Sequence, residues 1–177
     1  MDACTDLGPA VAERLARELP DYAQHVLDVL EAAGFEAWVV GGWVRDALLG
    51  RPGHDVDVTT SAPWQDAASA LRAAGIAVHE TGTAHGTVTA VVDGRHPDEV
   101  RFVTDVREDL ARRDFTVNAM AFHPERGLLD PFGGERDLAA GVIRAVGEPR
   151  RRFEEDALRV LRAVRFACRL GTRIEPA

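Results

Sequence analysis

The chain is 177 residues long, 46% hydrophobic and 28% charged, which is normal for a soluble globular protein with one core and room for a helical appendage. Its formal net charge of −8 argues mildly against a nucleic-acid partner, and no apolar run approaches the ~20 residues that would span a membrane. The acidic N-terminus lacks a signal-peptide pattern, and the two cysteines, Cys4 and Cys168, form no disulfide framework, so we predict a cytoplasmic protein with free thiols.

The predicted elements begin with a helix from Val11 to Ala33, split at Pro20 with Asp21 as a new N-cap, and ended by Gly34. An apolar strand at 37–40 follows. Next come a short helix after Gly41-Gly42, a strand through Asp55 and Asp57, and a helix from about 61 to 74. Three strands are then predicted at 76–79, 86–92 and 99–103, with a turn at Asp93-Gly94. The remaining elements are helical segments at 108–113 and 116–120, a strand at 142–146 and a helix at 153–170. Interleaved strands and helices predict an α/β or α+β domain.

Asp55 and Asp57 lie two residues apart in a segment rich in valine and threonine, which is typical of a strand. On a strand both carboxylates would point to one face, with Cα atoms ~6.6 Å apart. Two like charges at that distance repel unless a cation lies between them, and hard oxygen ligands suit Mg²⁺. The pattern therefore predicts a magnesium site, with the two aspartates as both metal ligands and catalytic residues.

A Gly-Gly turn upstream of this strand, Gly41-Gly42, opens a short helix that carries Arg45. Backbone amides at such a helix start, with a guanidinium nearby, attract phosphate. Each feature taken singly is more often a surface pair or an ordinary turn. Their order and their spacing of about a dozen residues favour a nucleoside triphosphate site.

Charge is distributed unevenly along the chain. Residues 1–40 contain eight acids and two arginines, whereas residues 141–173 contain nine arginines and four acids. This asymmetry favours a C-terminal segment that faces RNA or phosphate. The alternative is a solvated, arginine-rich helix.

The last predicted helix places Asp156 and Arg159 three residues apart on one face. An acceptor and a donor in this arrangement can read the edge of a base, and Arg162 and Arg165 continue the same side toward a base or phosphates. The competing interpretation is a surface ion pair worth only ~0.5 kcal/mol. The other, apolar face of the helix is predicted to be core: Leu158, Leu161, Val164 and Cys168.

Four ordered motifs are spread over residues 38–171: GGWVRDALLGRPGHDVD (41–57), EDLARRDFTVNAMA (108–121), DPFGG (130–134) and RFEEDALRVLRAVRF (152–166). This series resembles the class II tRNA nucleotidyltransferase and bacterial poly(A) polymerase family. The resemblance implies a nucleotidyltransferase-type mixed sheet backed by helices, with a C-terminal helical neck segment. It also implies three regions, namely an N-terminal helical segment (1–36), a catalytic head (37–147) and the start of a base-recognition neck (148–177).

The resemblance further assigns roles to residues in these motifs. Gly42 and Arg45 are expected to contact the nucleotide, and Arg113 and Asp114 to lie near its sugar and phosphates. The Asp156 and Arg159 pair is expected to choose the base, with Arg162 and Arg165 nearby. For Arg113 the alternative is an ordinary helix-end arginine paired with Asp109 at i,i+4.

One departure from the family lies between the strands predicted at 86–92 and 99–103, where only Asp93 to Asp98 intervene. Full CCA-adding members carry a longer insertion there, a flexible loop that helps to re-set the pocket from CTP to ATP. The short connection resembles the CC-adding subgroup. We therefore predict a Mg²⁺-dependent, template-independent enzyme that adds CMP from CTP to the 3′ end of tRNA.

Three alternatives remain open at this point. They are a full CCA-adding enzyme that also uses ATP, a bacterial poly(A) polymerase, and a nucleotide- or RNA-binding module without turnover. The motifs are shared among these enzymes, and the module is disfavoured because both Asp55 and Asp57 are present.

Overall fold

The computed structural model describes residues 4–5, 8–53, 55–82, 87–91, 98–102 and 105–176. In these ranges the elements are, in chain order, β1 (Cys4–Thr5), α1 (Pro9–Glu18), α2 (Asp21–Ala32), β2 (Ala37–Val40), α3 (Gly42–Leu48), β3 (Asp57–Thr60), α4 (Trp64–Ala73), β4 (Ala77–Gly82), β5 (Thr87–Val91), β6 (Asp98–Phe102), α5 (Val106–Ala111), a 3-10 turn (Thr116–Asn118), β7 (Ala121–His123), β8 (Gly127–Leu129), α6 (Gly134–Ala139), β9 (Val142–Ile143), α7 (Pro149–Glu155), α8 (Leu158–Leu170) and β10 (Arg173–Ile174).

Eight of these strands form one sheet in the order β1-β8-β7-β2-β3-β6-β5-β4. Neighbours are antiparallel except β3 and β6, which run parallel and pair Val58 with Val100. Two short parallel strands, β9 and β10, form a second sheet. The prediction of a mixed sheet backed by helices is confirmed.

The central strand β2 is buried on both faces, which explains its uninterrupted apolar sequence. Ala37 and Val39 face a large core that includes α1, α2 and α4. Trp38 and Val40 face a smaller cluster on the opposite side, which includes residues of α5. The predicted bounds of this strand, 37–40, match those observed.

Several element boundaries differ from the prediction. The segment near 116–120 forms only the single 3-10 turn, and the strand predicted at 142–146 is limited to β9. Beyond β9 the backbone still pairs through one bridge, between Phe115 and Ala145. At the α1–α2 junction the N-cap is Pro20, and Asp21 is the first helical residue without a side-chain cap bond. The predicted turn at Asp93-Gly94 lies outside the described residues.

The helix predicted at 153–170 is wrong, because the chain forms two helices that break at Asp156. This residue has extended backbone angles, φ −155° and ψ 105°. Its side chain accepts a hydrogen bond from the Leu158 amide at 2.9 Å and so caps the start of α8. The first helix, α7, begins earlier than predicted because Glu148 caps the amides of Arg150 and Arg151.

The orientation of α8 is also opposite to the prediction. Its buried residues are Ala163 and Phe166, and Phe166 packs edge-on against Phe115 with ring centroids 5.9 Å apart. The face predicted to be core is exposed: Leu158 at 64%, Leu161 at 68%, Val164 at 51%, and Cys168. Arginines near this buried face form ion pairs with acids of the head, Arg162 with Asp114 and Arg169 with Asp46.

His123 ends β7 and is buried, with 2% of its surface exposed. Its Nδ1 accepts a hydrogen bond from the Glu125 amide at 3.1 Å, and its ring lies 5.7 Å from Trp38, edge to face. Burial lowers the pKa of His123 below its ordinary value and outweighs the attraction of Glu31, whose Oε1 lies 3.2 Å from Nε2. The folded protein therefore holds this histidine neutral.

We expect the free energy of unfolding to decrease as the pH is lowered below about 6.5, the ordinary pKa of histidine. In that range the unfolded chain binds a proton at His123 that the folded protein resists, so the stability held at neutral pH is lost. Urea unfolding from pH 8 to pH 5 would measure this. The slope should be smaller in His123→Gln than in the unaltered protein. Equal slopes in the two proteins would contradict the assignment to His123.

Candidate active site

A cavity of about 580 Å³ opens where α3, the start of β3, the segment around Asp114 and α8 meet. Seven arginines and four aspartates dominate its wall. The lining residues are Gly42, Arg45, Asp57, Asp109, Arg112, Arg113, Asp114, Asn118, Asp156, Leu158, Arg159, Arg162, Arg165, Phe166 and Arg169. The structure thus brings nine of the ten predicted site residues around one cavity, and only Asp55 is absent from its wall.

The start of α3 requires glycine at position 41. Gly41 has φ +76°, which favours glycine, and a Cβ there would lie 2.4 Å from Nη1 of Arg113. The guanidinium of Arg113 can therefore pack directly against this backbone. The same side chain pairs with Asp109 through Nη2 at 2.8 Å. Arg113 therefore forms the i,i+4 ion pair with Asp109 that was the alternative to a role in nucleotide binding, and it also lines the cavity.

Arg45 is predicted to contact the nucleotide, yet its side chain already has several partners within the protein. It is 3% exposed and donates two hydrogen bonds to the Asp46 carboxylate, at 2.8 and 2.9 Å. A third goes to the side-chain oxygen of Asn118. Its guanidinium also lies 5.2 Å above the Phe166 ring. These contacts fix Arg45 between α3 and α8.

Asp114 joins the head to α8. Its Oδ1 accepts hydrogen bonds from the Phe115 amide at 2.8 Å and the Asn118 side chain at 3.0 Å. Its Oδ2 accepts from Nε of Arg162, on α8, at 2.7 Å. A second head–helix pair, between Asp46 and Arg169 at 3.5 Å, lies farther along α8. The helix is therefore fastened to the head by residues that also line the cavity.

The predicted base-reading pair does not share a helix face, because Asp156 lies in the break before α8. Arg159 lies in the first turn of α8, and it donates to the carbonyl oxygen of Arg112 and to Glu155, both at 3.1 Å. Both residues of the pair nevertheless line the cavity. Among the described residues, Arg112 and Arg165 make no ion pair with a carboxylate. Arg112 donates to a backbone oxygen, and Arg165 lies 6.0 Å from the Phe166 ring.

Six lining residues were not predicted as site residues: Asp109, Arg112, Asn118, Leu158, Phe166 and Arg169. The first five lie inside the motif segments 108–121 and 152–166, so motif membership was the available signal. Arg169 lies beyond the last motif. Its position four residues after Arg165 on the same helix would have indicated it.

The strand assignment of the two metal-ligand candidates is half correct. Asp57 is the first residue of β3 and lines the cavity, with Oδ2 3.7 Å from where a Cβ on Gly41 would lie. Asp55 precedes the strand and is exposed. No group of three or more potential metal ligands occurs among the described residues. An aspartate on the wall of an arginine-lined cavity, with a second aspartate two residues before it in the chain, fits a Mg²⁺ ion that takes its other ligands from phosphate oxygens and water.

The sequence profile of the family described as "Poly A polymerase head domain" matches residues 37–95 and 89–144. The chain belongs to this family, and the predicted membership in the class II tRNA nucleotidyltransferase and poly(A) polymerase family is confirmed. The two matched segments overlap at residues 89–95, a range that includes the first three residues of the connection predicted at Asp93–Asp98.

Curated relatives include the CCA-adding enzymes of Lactobacillus helveticus, 47% identical over 89% of this chain and 44% of that protein, and of Pediococcus pentosaceus, 45% identical over 86% and 42%. One similar solved structure is that of the Bacillus stearothermophilus CCA-adding enzyme in complex with CTP. It superimposes with a TM-score of 0.79 at 40% sequence identity, and the match covers 96% of this chain and 42% of that one. The Thermotoga maritima CCA-adding enzyme complexed with tRNA has TM-score 0.80, 30% identity and coverage of 94% and 42%. The chain spans less than half the length of these relatives.

The alignments also show a difference in length within the matched region. The alignment to the Lactobacillus helveticus enzyme runs over 178 residues but uses only 89% of this 177-residue chain. The relative therefore carries residues that this chain lacks. In the described part of the chain, no helix is long and apolar enough to cross a membrane.

Proposed function

We propose that this chain is the catalytic head and first neck helix of a template-independent tRNA nucleotidyltransferase that completes the CCA end of tRNA from CTP and ATP. One observation carries the proposal. A single cavity brings together a carboxylate suited to a metal ion, an arginine cluster suited to a triphosphate, and an Asp156 and Arg159 pair suited to a base. The relatives named CCA-adding enzymes, one of them in complex with CTP, support the same substrates.

Asp57 and Asp55 would hold Mg²⁺ at the open end of β3. When bound there, Mg²⁺ would neutralise the triphosphate and lower the pKa of the attacking 3′-hydroxyl. Asp57 is the better placed of the two, because the β2–β3 ladder fixes it opposite Val40. Asp55 would complete the metal site from the adjacent segment.

The arginines would bind the negative charge of the triphosphate and of the leaving pyrophosphate. Arg112 and Arg165 can donate hydrogen bonds to phosphate oxygens without giving up an ion pair described above. Arg113 would bind a phosphate while still paired with Asp109, and Arg162 would do so while still paired with Asp114. Gly42 and Arg45 would line the phosphate end of the cavity.

Asp156 and Arg159 would select the base, as acceptor and donor toward its edge. Because α8 carries Arg159 and follows Asp156 directly, the docking of this helix on the head sets the distance between base and metal. This role supports the proposed division into an N-terminal segment (1–36), a head (37–147) and a neck (148–177), with residues of the neck completing the cavity.

Addition of CC alone is a second candidate, favoured by the short connection predicted at Asp93–Asp98. The curated relatives favour the full CCA-adding activity instead, because those named are CCA-adding enzymes. Residues 92–97 lie outside the described part of the chain. The length of the tRNA product distinguishes the two activities.

The test is incubation of the protein with tRNA that lacks its 3′ CCA, with each NTP singly and together, in the presence of Mg²⁺. Products are sized at nucleotide resolution. We expect two additions with CTP and a third when ATP is present. An arrest after two cytidines would establish the CC-adding candidate, and a loop grafted from a CCA-adding relative between Gly94 and Arg95 should then restore the final A. A run of adenosines would indicate polyadenylation, and nucleotide binding without any product would indicate a binding module.

A further inference from the structure

We infer that the contact between Trp43 and Gly53 positions Asp55 for metal binding, which makes Trp43 and Gly53 positioning residues of the proposed reaction. The inference rests on the metal site of the proposed function. Asp55 precedes β3, and the β2–β3 ladder ends at the pair formed by Val40 and Asp57. The sheet therefore fixes Asp57 and leaves Asp55 to the segment that connects α3 to β3.

That connecting segment is anchored at both ends. At the α3 end, the Gly50 amide donates to the Ala47 carbonyl oxygen at 3.0 Å and the Arg51 amide donates to the Asp46 carbonyl oxygen at 2.9 Å. At the β3 end, Val56 is 1% exposed and belongs to the main core. Between these anchors, the position of Asp55 depends on how the middle of the segment packs.

In the middle of the segment, Gly53 lies directly against the indole ring of Trp43. A Cβ on Gly53 would lie 2.3 Å from Cδ1 and 2.9 Å from Nε1 of that ring. The φ angle of Gly53 is not among the positive values found at other glycines. Glycine is therefore required here by the close approach of the ring and not by its backbone conformation.

The indole ring is a rigid surface for this contact. Trp43 is 3% exposed, and its ring packs at 6.4 Å from Phe122, which is fully buried in β7. Trp43 also belongs to α3, the seven-residue helix that presents Gly42 and Arg45 to the cavity. One short helix thus lines the phosphate end of the cavity and, through its tryptophan, holds the segment that carries Asp55.

A side chain at position 53 would push the segment away from Trp43, two residues before Asp55. Mg²⁺ demands near-ideal octahedral geometry at short distances, so a small displacement of one carboxylate weakens binding. Groups that orient metal ligands typically change metal affinity by about 10- to 100-fold when they are altered. Asp57, which is held in the ladder, and the base-selecting pair are unaffected by this change.

The test compares Gly53→Ala with Gly8→Ala, since a Cβ on Gly8 meets no atom within 4 Å. Mn²⁺ binding is measured by electron paramagnetic resonance with CTP present and no primer, so the readout does not depend on turnover. We expect Gly53→Ala to bind Mn²⁺ about tenfold more weakly and Gly8→Ala to match the unaltered protein.

Unaltered Mn²⁺ affinity in folded Gly53→Ala would overturn the inference, as would a loss of the same size in Gly8→Ala. If Gly53→Ala does not fold, Trp43→Phe serves in its place, because it shortens the ring against Gly53 and should also weaken Mn²⁺ binding. Normal affinity in Trp43→Phe would overturn the inference in that case. Asp57→Asn distinguishes a failure of this inference from a failure of the proposed function. If Mn²⁺ binding does not change in Asp57→Asn, the proposed metal site itself is absent.

Discussion

Replacing Asp57 with Asn should lower the rate of CTP incorporation by at least about a hundredfold, because metal stabilisation of the transition state is worth several kcal/mol. The substitution keeps the volume of the side chain and removes one negative ligand at the start of β3. Asp57 lies on the wall of the cavity at the start of β3 and is only partly buried, so the fold should be retained. Single-turnover incorporation into tRNA lacking CCA measures the effect.

The matched control for this experiment is Asp66→Asn. Asp66 lies in the first turn of α4, is exposed, and does not line the cavity. This variant should incorporate CTP at the normal rate. Normal turnover by natively folded Asp57→Asn would mean that the metal is held elsewhere.

Replacing Asp156 with Ser should relax the choice of base while leaving the protein as stable as before. Serine can still cap the Leu158 amide, as Asp156 does, but it is too short to reach a base. A paired acceptor and donor on a base edge contributes about 1–3 kcal/mol of discrimination, so misincorporation of UTP and GTP relative to CTP should rise about 10- to 100-fold. Competition between nucleotides in single-turnover reactions measures this ratio.

Asp156→Ala distinguishes base reading from helix capping. It should relax selection to the same degree and, because the cap is lost, also lower the free energy of unfolding by about 1 kcal/mol. If Asp156→Ser keeps its selectivity and only Asp156→Ala loses it, Asp156 acts through the helix cap and does not read the base.

The sequence predicted correctly those elements whose structure depends on residues that lie close together along the chain. The strand Ala37–Val40 is uniformly apolar because both of its faces are covered, and its bounds were predicted correctly. The break at Asp156 was missed because the helical periodicity continues on both sides of it. A side-chain cap that interrupts a helix leaves the apolar spacing unchanged.

The face of α8 was assigned wrongly for a different reason. The helix has two apolar sets, one containing Leu158 and Leu161 and the other containing Ala163 and Phe166. Size alone favours the first. The second is buried because the arginines beside Phe166 meet Asp114 and Asp46, which are distant in sequence. The motifs were sufficient to predict nine of the residues that line the cavity. The ion pairs that hold those residues in place depend on tertiary contacts, which no local sequence pattern encodes.

The shared use of Asp114 and Arg162 has an evolutionary consequence. Because this pair both fastens α8 and lines the cavity, a single substitution that altered the substrate preference would leave its partner's charge uncompensated and loosen the helix. The effects of changes at the two positions are therefore non-additive. A lineage that acquires a new nucleotide preference at this site must change both members together, or pass through an intermediate whose neck is poorly docked.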